Sequence, residues 1–561
     1  MRLLNFSVGR VQAIQIGSEV VKTAHIKAPA PPPWTITADG AEGDQRAVHP
    51  DKLYAFSRAA YEYWGEHLGI DPAKWPDGFF GENLTVDALD ETDLRVGDIF
   101  AIGDNVKVVV AGARTPCVKL AWRLGQPRSF QKTFARSRQT GVYLGVIEAG
   151  VVHPDDAITR VHHDPHMPSV ADVCDFIGSH EPPPLDALMR LLDCPYLSPA
   201  NRLLLGAKRE IAERAVDAVS NRWRGWREFV VSRIEDEARD IKSFYLAPKD
   251  GAALCQMRPG QYVTARLAGE NGEAVTRTWS LSSFAHDPDA YRITVLRQEG
   301  AGSRALHALK QGDGLELRAP AGVFALDMGS FRPLVLIGAG VGVTPLMAML
   351  EAQLRKKEPG YIHFIYGAKS PEDMAFRDRL SELAAEHPTL RTTFVFSRRA
   401  EEGTATGRIT ADLVKRALHD VYVTIGGKTI ALPWFEADFY LCGPGAFCEE
   451  LTDALVAGGA DPNHLFSERF EALEAETTEL QSATVRFAKA EREAAWEADS
   501  NPSLLELAES AGLSVDNDCR SGACMTCRSA ISEGETTADL GDGTALLCIA
   551  RPKTPRLVID I

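Results

Sequence analysis

The pattern of apolar and polar residues divides the chain into five successive parts, and the first is rich in strands. Over residues 1–163, short apolar runs such as 94–102 and 106–111 are interrupted by Gly and Asp turns, which is typical of β-structure. One longer stretch, residues 50–68, has helical spacing and an aromatic face. We therefore predict a mostly β domain with one helix.

A helical period follows over residues 168–222. Ser169 is suited to cap a helix over 170–178, and further helices are predicted over 185–192 and 199–219. Three helices in so short a segment predict a small three-helix domain.

The remaining three parts differ in how strands and helices alternate. Residues 225–328 contain strands with regular turns, which predicts a small β-barrel. Residues 333–470 alternate strand and helix, which indicates a parallel α/β sheet. After an acidic linker over 471–480, residues 482–561 form a small α+β unit. The predicted fold class is multidomain, with α/β and β domains.

Composition narrows the class of protein. The 561 residues are 45% hydrophobic and 25% charged, as in globular proteins. The net charge of −16 speaks against binding nucleic acid or an anionic membrane surface. No apolar run approaches the ~20 residues that a membrane-spanning helix needs, and the N-terminus does not resemble a signal peptide. A cytoplasmic location is expected.

The cysteine spacing near the C-terminus is the most specific chemical signal. Cys519, Cys524 and Cys527 have the spacing C-x4-C-x2-C, and Cys548 follows. Four thiolates in this arrangement are typical of plant-type [2Fe-2S] ferredoxins. The segment between Cys527 and Cys548 is shorter than in most such proteins. The alternative is a structural zinc site with four Cys ligands.

A second motif lies in the predicted barrel. Arg277-Thr278-Trp279-Ser280 resembles the R-x-Y-S motif of the ferredoxin-reductase superfamily, with Trp in place of Tyr. The resemblance implies that the Arg neutralises a flavin phosphate, the aromatic ring covers the flavin, and the Ser binds near its reactive nitrogen. Residues 300–304, which include Gly302 and Ser303, open a helix predicted over 305–310 whose start could bind the phosphate. FAD is expected, with FMN as the alternative; otherwise Arg277 is a solvated strand residue.

A glycine-rich turn marks the predicted nucleotide site. Gly338, Gly340 and Gly342 connect a strand to a helix, as a pyrophosphate-binding turn requires. Thr344 suits the N-cap of that helix, and Pro345 suits its first turn.

Two further segments bear on the nicotinamide cofactor. Cys442-Gly443-Pro444 resembles the turn beside the nicotinamide in ferredoxin reductases, which gives Cys442 a candidate catalytic role. The alternative for Cys442 is a small buried core residue. Ser397 and Arg398, followed by Arg399, could hold a 2′-phosphate and favour NADPH, or could be a solvated basic pair.

The N-terminal part resembles the MOSC domain, named after the C-termini of molybdenum-cofactor sulfurases. Segments around Asn83, Arg114 and Cys117 carry this resemblance, and residues 168–222 resemble the three-helix domain of one MOSC branch. It implies a molybdenum cofactor with Cys117 as thiolate ligand, contacted by Arg114, Asn83 and Lys119. The chain departs from the pattern at 48–52, where a glycine pair is missing. A buried structural thiol or a persulfide carrier are the alternatives for Cys117.

Together these motifs predict five domains: MOSC (1–163), three-helix (168–222), flavin-binding β-barrel (225–328), NAD(P)-binding (333–470) and β-grasp ferredoxin (482–561). A hydride delivers two electrons at once, a flavin stores them, and a cluster releases them singly. We expect electrons to pass from NAD(P)H through flavin and [2Fe-2S] to molybdenum, reducing an N-hydroxylated small molecule. The alternative is a reductase serving a separate oxygenase or demethylase, with the MOSC domain as a docking module.

Overall fold

The computed structural model gives the arrangement of most of the chain. It describes residues 1–17, 19–45, 50–179, 183–218, 222–223, 225–269, 274–399, 401, 403–470, 478–513, 515, 522 and 527–561, with backbone alone for 210–218.

The first domain is a strongly curved β-sheet with three short helices. Its strands are β1 (Leu3–Gly9), β2 (Gln12–Ile16), β3 (Glu19–Thr23), β4 (Lys27–Pro29), β5 (Trp34–Thr37), β6 (Gly40–Ala41), β7 (Leu53–Ser57), β8 (Leu84–Val86), β9 (Ile99–Ile102), β10 (Val106–Ala113), β11 (Val142–Glu148), β12 (Gly150–Val152) and β13 (Ile158–His162). Its helices are α1 (Arg58–Leu68), α2 (Val118–Arg123) and α3 (Phe130–Arg136). The main sheet has the order β13-β9-β10-β11-β7-β8-β1-β4, and a bridge between Arg2 and Ala157 joins its β1 and β13 sides.

Two predictions in this domain were wrong in part. The helix predicted over 50–68 begins only at Arg58, because Leu53–Ser57 is a strand whose residues are all buried. A strand that is buried on both faces shows no alternation of apolar and polar residues. Its apolar run is therefore continuous with the helical pattern that follows. Ser57 then caps the helix by accepting a hydrogen bond from Ala60 N at 3.1 Å. The strand predicted over 94–102 is confined to Ile99–Ile102.

Three helices follow as predicted, and they pack on the first domain. They are α4 (Val170–Gly178), α5 (Leu185–Asp193) and α6 (Pro199–Ala218). Ser169 and Asp172 form the capping box of α4, with Asp172 N donating to Ser169 Oγ at 3.0 Å. Val173 and Leu188 share one apolar cluster with Phe100, so the helices complete the core of the first domain.

The next domain is a six-stranded antiparallel barrel, as predicted. Its elements are β14 (Arg227–Ala238), β15 (Ile241–Pro248), β16 (Tyr262–Ala268), β17 (Ala274–Ser280), β18 (Tyr291–Leu296), α7 (Ala301–Ala308) and β19 (Gly314–Leu317). The strand order is β17-β16-β19-β14-β15-β18, and a bridge between Leu281 and Ile293 joins the two edges.

The parallel-sheet domain confirms the predicted α/β alternation. Its elements are β20 (Leu334–Ala339), α8 (Val343–Leu354), β21 (Ile362–Ala368), α9 (Arg377–Glu386), β22 (Leu390–Phe396), β23 (Ala405–Thr406), α10 (Ala411–Ala417), β24 (Tyr422–Ile425), β25 (Lys428–Ala431), β26 (Asp438–Gly443), α11 (Gly445–Ala457) and β27 (Leu465–Arg469). The sheet order is β23-β22-β21-β20-β26-β27, and every pair is parallel. The direction of winding reverses between β20 and β26, and ligands of open α/β sheets bind at such a reversal.

In its described residues, the C-terminal domain is a five-stranded mixed sheet with one helix. Its elements are β28 (Ser482–Phe487), β29 (Arg492–Glu497), α12 (Leu504–Ser510), β30 (Arg528–Glu533), β31 (Thr544–Leu546) and β32 (Arg556–Ile559). The order is β29-β28-β32-β30-β31, with β28 and β32 parallel. The whole chain is thus multidomain, with mixed α/β and β architecture.

The first domain packs directly against the parallel-sheet domain. Ile14, Ile16 and Val118 belong to the same buried apolar cluster as Phe439 and Leu441. Polar contacts add to this interface. The Arg128 guanidinium lies 3.7 Å from the centre of the Phe435 ring and donates to Phe435 O at 3.2 Å. Across the described ranges, none of the helices combines the length and apolar character required to cross a bilayer.

Candidate functional site

The glycine-rich turn and the Cys442–Gly443 turn meet at the winding reversal. Gly340 has φ +58, and a Cβ on Gly342 would lie only 2.8 Å from Gly443 N. Glycine is therefore required at 342 for the two turns to approach each other. Gly338 lies at the end of β20, beside the glycine-rich turn, and Pro444 precedes the first turn of α11. The structure brings these predicted nucleotide-site residues together.

The helix after the glycine turn begins two residues earlier than the sequence suggests. Helix α8 starts at Val343 with Gly342 as its N-cap, so the prediction of Thr344 as N-cap was wrong. The Thr344 hydroxyl instead donates to Val341 O at 3.0 Å from within the first turn, which also contains Pro345. The tight turn over 340–342 continues directly into the helix and leaves no extended residue for a cap.

Cys442 lies in the interior at the end of β26. Its side chain is fully buried, and burial, followed by the charge of Glu468, raises the pKa of the thiol well above its usual value. It is therefore a neutral thiol near neutral pH, which suits contact with a ring better than nucleophilic attack.

Glu468 is a residue at this site that the sequence did not mark. It lies on β27 directly opposite Cys442, and its Oε2 is buried without a hydrogen-bond partner among the described residues. Burial raises the pKa of this carboxyl to about 8. A glutamate on an edge strand normally faces water, so only the parallel register with β26 reveals its position.

The predicted 2′-phosphate site lies at the end of β22. Ser397 N and Arg398 N donate to Ala368 O and Lys369 O at 3.0 and 2.9 Å, which fixes the turn. The side chains of Ser397 and Arg398 are exposed, whereas Arg399 forms an ion pair with Glu372. Arg398 is thus the better placed of the two arginines to meet a ligand.

The two halves of the flavin motif come together on the barrel. Arg277 crosses the start of α7 so closely that a Cβ on Gly302 would overlap its side chain. Thr278 and Trp279 are half-buried and Ser280 is buried, so the motif runs from the surface inward. The Ser303 hydroxyl accepts from Gln298 N at 2.9 Å and donates to Leu296 O at 3.0 Å. Its hydroxyl therefore holds the helix start, which leaves the backbone N–H groups of that turn for a phosphate.

Two of the four cluster cysteines lie within the described residues. Cys527 and Cys548 are buried, and Cys548 N lies 3.4 Å from Cys527 Sγ. Gly522 N donates to Cys548 Sγ at 3.2 Å, a bond of the kind that tunes cluster potentials. Pairing of Arg528 in β30 with Leu546 in β31 brings the two cysteines together. Cys519 and Cys524 lie outside the described residues.

Cys117 lies in a basic region of the first domain, which also holds Arg114 and His25 and is called the pocket below. It is half-buried and is the N-cap residue of α2. The first residue of that helix, Val118, packs against the parallel-sheet domain. Arg114 lies three residues earlier and is only 6% exposed. Its guanidinium lies 5.2 and 5.5 Å from the ring centres of Tyr54 and Phe134.

Arg114 is buried and forms no ion pair among the described residues. Burial is the largest influence on its pKa and lowers it, but the anionic forms of Tyr54, Tyr143, Cys117 and Glu82 outweigh burial and raise the pKa overall. The phenols are uncharged near neutral pH, so they give the cation no counter-charge there. Its Nη1 is buried with no hydrogen-bond partner in the described parts of the chain.

His25 is a second pocket residue that the sequence did not mark. Burial, followed by the charges of Arg114, Lys119, Lys27 and Arg123, lowers the pKa of its imidazole well below the usual value. Its Nε2 is buried and has no partner among the residues described. A Cβ on Gly81, which has φ +88, would lie 2.5 Å from the imidazole, so glycine is needed there. No motif surrounds His25, and only the fold brings it to Arg114.

Asn83 lies beside the pocket but is fully engaged with the protein. Its Nδ2 donates to Ser7 O at 3.1 Å and to Asp44 Oδ2 at 3.0 Å, and its Oδ1 accepts from Tyr54 N at 3.3 Å. Asp44 also pairs with Lys27 at 2.6 Å. Asn83 therefore joins the strands that hold the pocket rather than offering free groups to a ligand.

Known domain families match the chain in succession. The MOSC domain matches residues 43–159, the oxidoreductase FAD-binding domain 228–326, the oxidoreductase NAD-binding domain 336–453, and the 2Fe-2S iron-sulfur cluster binding domain 489–553. The chain is a fusion of these four domains. It therefore carries the FAD-binding, NAD-binding and 2Fe-2S domains of oxidoreductases together with a MOSC domain.

The fusion has relatives among characterised proteins. It is 32% identical to a flavohemoprotein of Bacillus subtilis over 274 residues, which is 47% of this chain and 64% of that protein. It is 42% identical to a flavohemoprotein of Pseudomonas putida over 197 residues, which is 35% of this chain and 49% of that protein. The fusion thus spans about half to two thirds of the length of these relatives.

Two solved structures each resemble part of the fusion. Phthalate dioxygenase reductase is 25% identical, with 60% of this chain and 98% of that chain covered and a TM-score of 0.42. YiiM of Geobacillus stearothermophilus is 25% identical, with 37% of this chain and 98% of that chain covered and a TM-score of 0.31.

Proposed function

We propose that the fusion passes electrons from NAD(P)H, through its flavin and [2Fe-2S] cluster, to a molybdenum cofactor in the MOSC domain. The acceptor is an N-hydroxylated small molecule. Its N–O bond breaks with uptake of two electrons and two protons, which yields the amine and water. The reductase supplies both electrons from one hydride.

The buried, unpaired Arg114 guanidinium carries this proposal. A buried cation without a counter-ion is strongly unfavourable, and proteins keep such charges when they meet an anionic ligand. Nη1 of Arg114 is free to donate among the described residues, and Cys117 is near enough for its charge to act on Arg114. A guanidinium and a thiol side by side match a cofactor that brings both a phosphate and a metal with affinity for thiolate.

The remaining pocket residues fit the same group. Cys117 would hold the metal and Arg114 the phosphate, while Lys119 and Arg123 extend the positive charge around the pocket. When bound, the cofactor would supply a two-electron centre able to accept an oxygen atom. His25 stays neutral because burial and its cationic neighbours lower the pKa of its imidazole, so its Nε2 can donate or accept one hydrogen bond there.

Metal analysis of the purified fusion, alongside flavin extraction, tests the proposal. About two irons and one molybdenum per chain are expected when the host makes the cofactor. Cys117→Ser should lose molybdenum and the reduction of N-hydroxylated compounds, yet keep NAD(P)H-driven reduction of cytochrome c. Cys174→Ser is the matched control, because Cys174 is a buried thiol that contacts Thr140 Oγ1 at 3.5 Å.

Iron and flavin without molybdenum would contradict the proposal. That result would favour a reductase that passes electrons to a separate oxygenase or demethylase.

A further inference from the structure

The β24–β25 hairpin of the NAD-binding domain stands apart from the parallel sheet. Ile425 pairs with Lys428, and Gly426 and Gly427 form the two-residue tip with φ +56 and +75. Two successive residues with positive φ make the tight hairpin turn for which glycine is favoured. The tip is therefore narrow and carries no side chains.

This tip wedges against two segments of the N-terminal half. A Cβ on Gly426 would lie 2.9 Å from Pro199 Cβ and 3.8 Å from Pro50 Cβ. A Cβ on Gly427 would meet no described atom within 4 Å. A side chain at 426 would therefore overlap the Pro199 ring and displace it, while it would touch the Pro50 ring at an ordinary contact distance.

The Pro199 side leads to the MOSC pocket through the start of α6. Asn201 Nδ2 donates to Ala113 O at 3.0 Å and to Thr115 Oγ1 at 3.4 Å. Ala113 and Thr115 flank Arg114 in the chain, and Cys117 follows two residues later. The position of Pro199 is therefore linked to the segment that presents Arg114 and Cys117.

The Pro50 side leads to the same pocket through Asp51. Burial raises the pKa of Tyr143, and the Asp51 carboxylate raises it further. Arg114 lowers the pKa of Tyr143 and Cys117 raises it, so all four side chains are electrostatic neighbours. The chain here lacks the glycine pair that the MOSC resemblance leads one to expect, and residues 46–49 lie outside the described residues.

We propose that the tip of the β24–β25 hairpin is a wall of the MOSC pocket contributed by the NAD-binding domain. By fixing Pro50–Asp51 on one side and the start of α6 on the other, it sets how large a molecule reaches Cys117. Gly426 is the positioning residue of this wall. The assignment of the pocket to N-hydroxylated substrates rests on the proposed function, but the coupling between the tip and Cys117 does not.

Gly426→Ala and Gly427→Ala form a matched pair for the test. Both place a methyl group on backbone with positive φ, but only the first overlaps a neighbouring ring, that of Pro199. The rate at which N-ethylmaleimide alkylates Cys117 is followed by peptide mass spectrometry, without any need for bound molybdenum. Displacements near 1 Å change reaction rates severely. Alkylation of Cys117 should therefore be about tenfold faster in Gly426→Ala than in wild type. Gly427→Ala should stay within about twofold, because it gives backbone strain without a clash.

Two further variants keep the test decisive. Pro199→Gly withdraws the ring from the opposite side and should also speed alkylation of Cys117. In Gly426→Ala/Pro199→Gly the added methyl group fits the vacated space, so any folding defect of Gly426→Ala should be relieved. Flavin content and NAD(P)H-driven ferricyanide reduction report that the reductase is intact in each variant.

Loaded enzyme gives a second readout. The KM of bulky N-hydroxylated compounds should change in Gly426→Ala by about tenfold, while kcat with small ones is kept. Equal alkylation rates in the Gly426 and Gly427 variants, with intact flavin, would overturn the proposed wall. Failure of the proposed function would appear separately, as iron without molybdenum in wild type.

Discussion

Replacing Arg114 with methionine should stabilise the cofactor-free fusion while abolishing cofactor retention. Methionine keeps much of the length and the ring contacts but removes the charge. A buried charge left without a partner costs about 3–5 kcal/mol. The contacts of the guanidinium with the Tyr54 and Phe134 rings return about 1 kcal/mol each. The net expectation for Arg114→Met is a gain of about 1–3 kcal/mol in the free energy of unfolding.

The assay compares protein from hosts with and without the molybdenum-cofactor pathway. Without the cofactor, the midpoint of thermal unfolding should rise by about 2–4 °C for each kcal/mol gained. With the cofactor, wild type should retain molybdenum and Arg114→Met should not. Arg123→Met is the control: Arg123 lies 4.5 Å from the Phe79 ring centre but is only half-buried, so its loss should change stability little. If Arg114→Met destabilised the cofactor-free protein, the guanidinium would have a structural partner within the protein, and its burial would not indicate an anionic ligand.

Two further outcomes concern the NAD-binding domain. Burial raises the pKa of Glu468 from 4.5 to about 8, so the folded state holds a proton that the unfolded state releases, and stability should fall as pH rises between those values. Glu468→Gln should flatten this decrease of stability with pH, measured by thermal unfolding. Glu449→Gln, which removes a charge from an exposed ion pair with Arg469, should leave the decrease unchanged. Equal pH dependence in wild type and Glu468→Gln would contradict the prediction. Arg398→Ala should raise the KM for NADPH about tenfold without changing that for NADH, since a guanidinium at this turn would hold the 2′-phosphate. Arg399→Ala is the control in steady-state kinetics, and equal effects on both nucleotides would exclude the assignment.

Much of the architecture could be predicted because the relevant signals are local. Ser169 and Asp172 define the start of α4 by their own hydrogen bonds. The alternation of strand and helix after residue 333 is enough to indicate a parallel sheet. Likewise, the close approach of Gly342 to Gly443 follows from glycines that the strand–turn–helix pattern already marks. Such features depend on residues adjacent in sequence.

Other features depend on contacts that sequence spacing does not encode. His25 and Glu468 become notable only when the fold removes their hydrogen-bond partners and buries them. The sequence pattern predicts helix where strand β7 lies, because both faces of this strand are buried. The β24–β25 hairpin is not among the predicted elements, although Gly426-Gly427 between apolar runs is a known hairpin signal. Its importance comes from Pro199, more than two hundred positions away in the chain.

The apolar cluster shared by the first domain and the NAD-binding domain has a consequence for how such fusions can evolve. Ile14, Ile16 and Val118 fill one core with Phe439 and Leu441. Separating the first domain from the NAD-binding domain would expose an apolar patch on each, and exposed apolar patches promote aggregation. Any recombination that exchanges one half must therefore bring a compatible apolar surface with it, and we expect the two halves to be exchanged together.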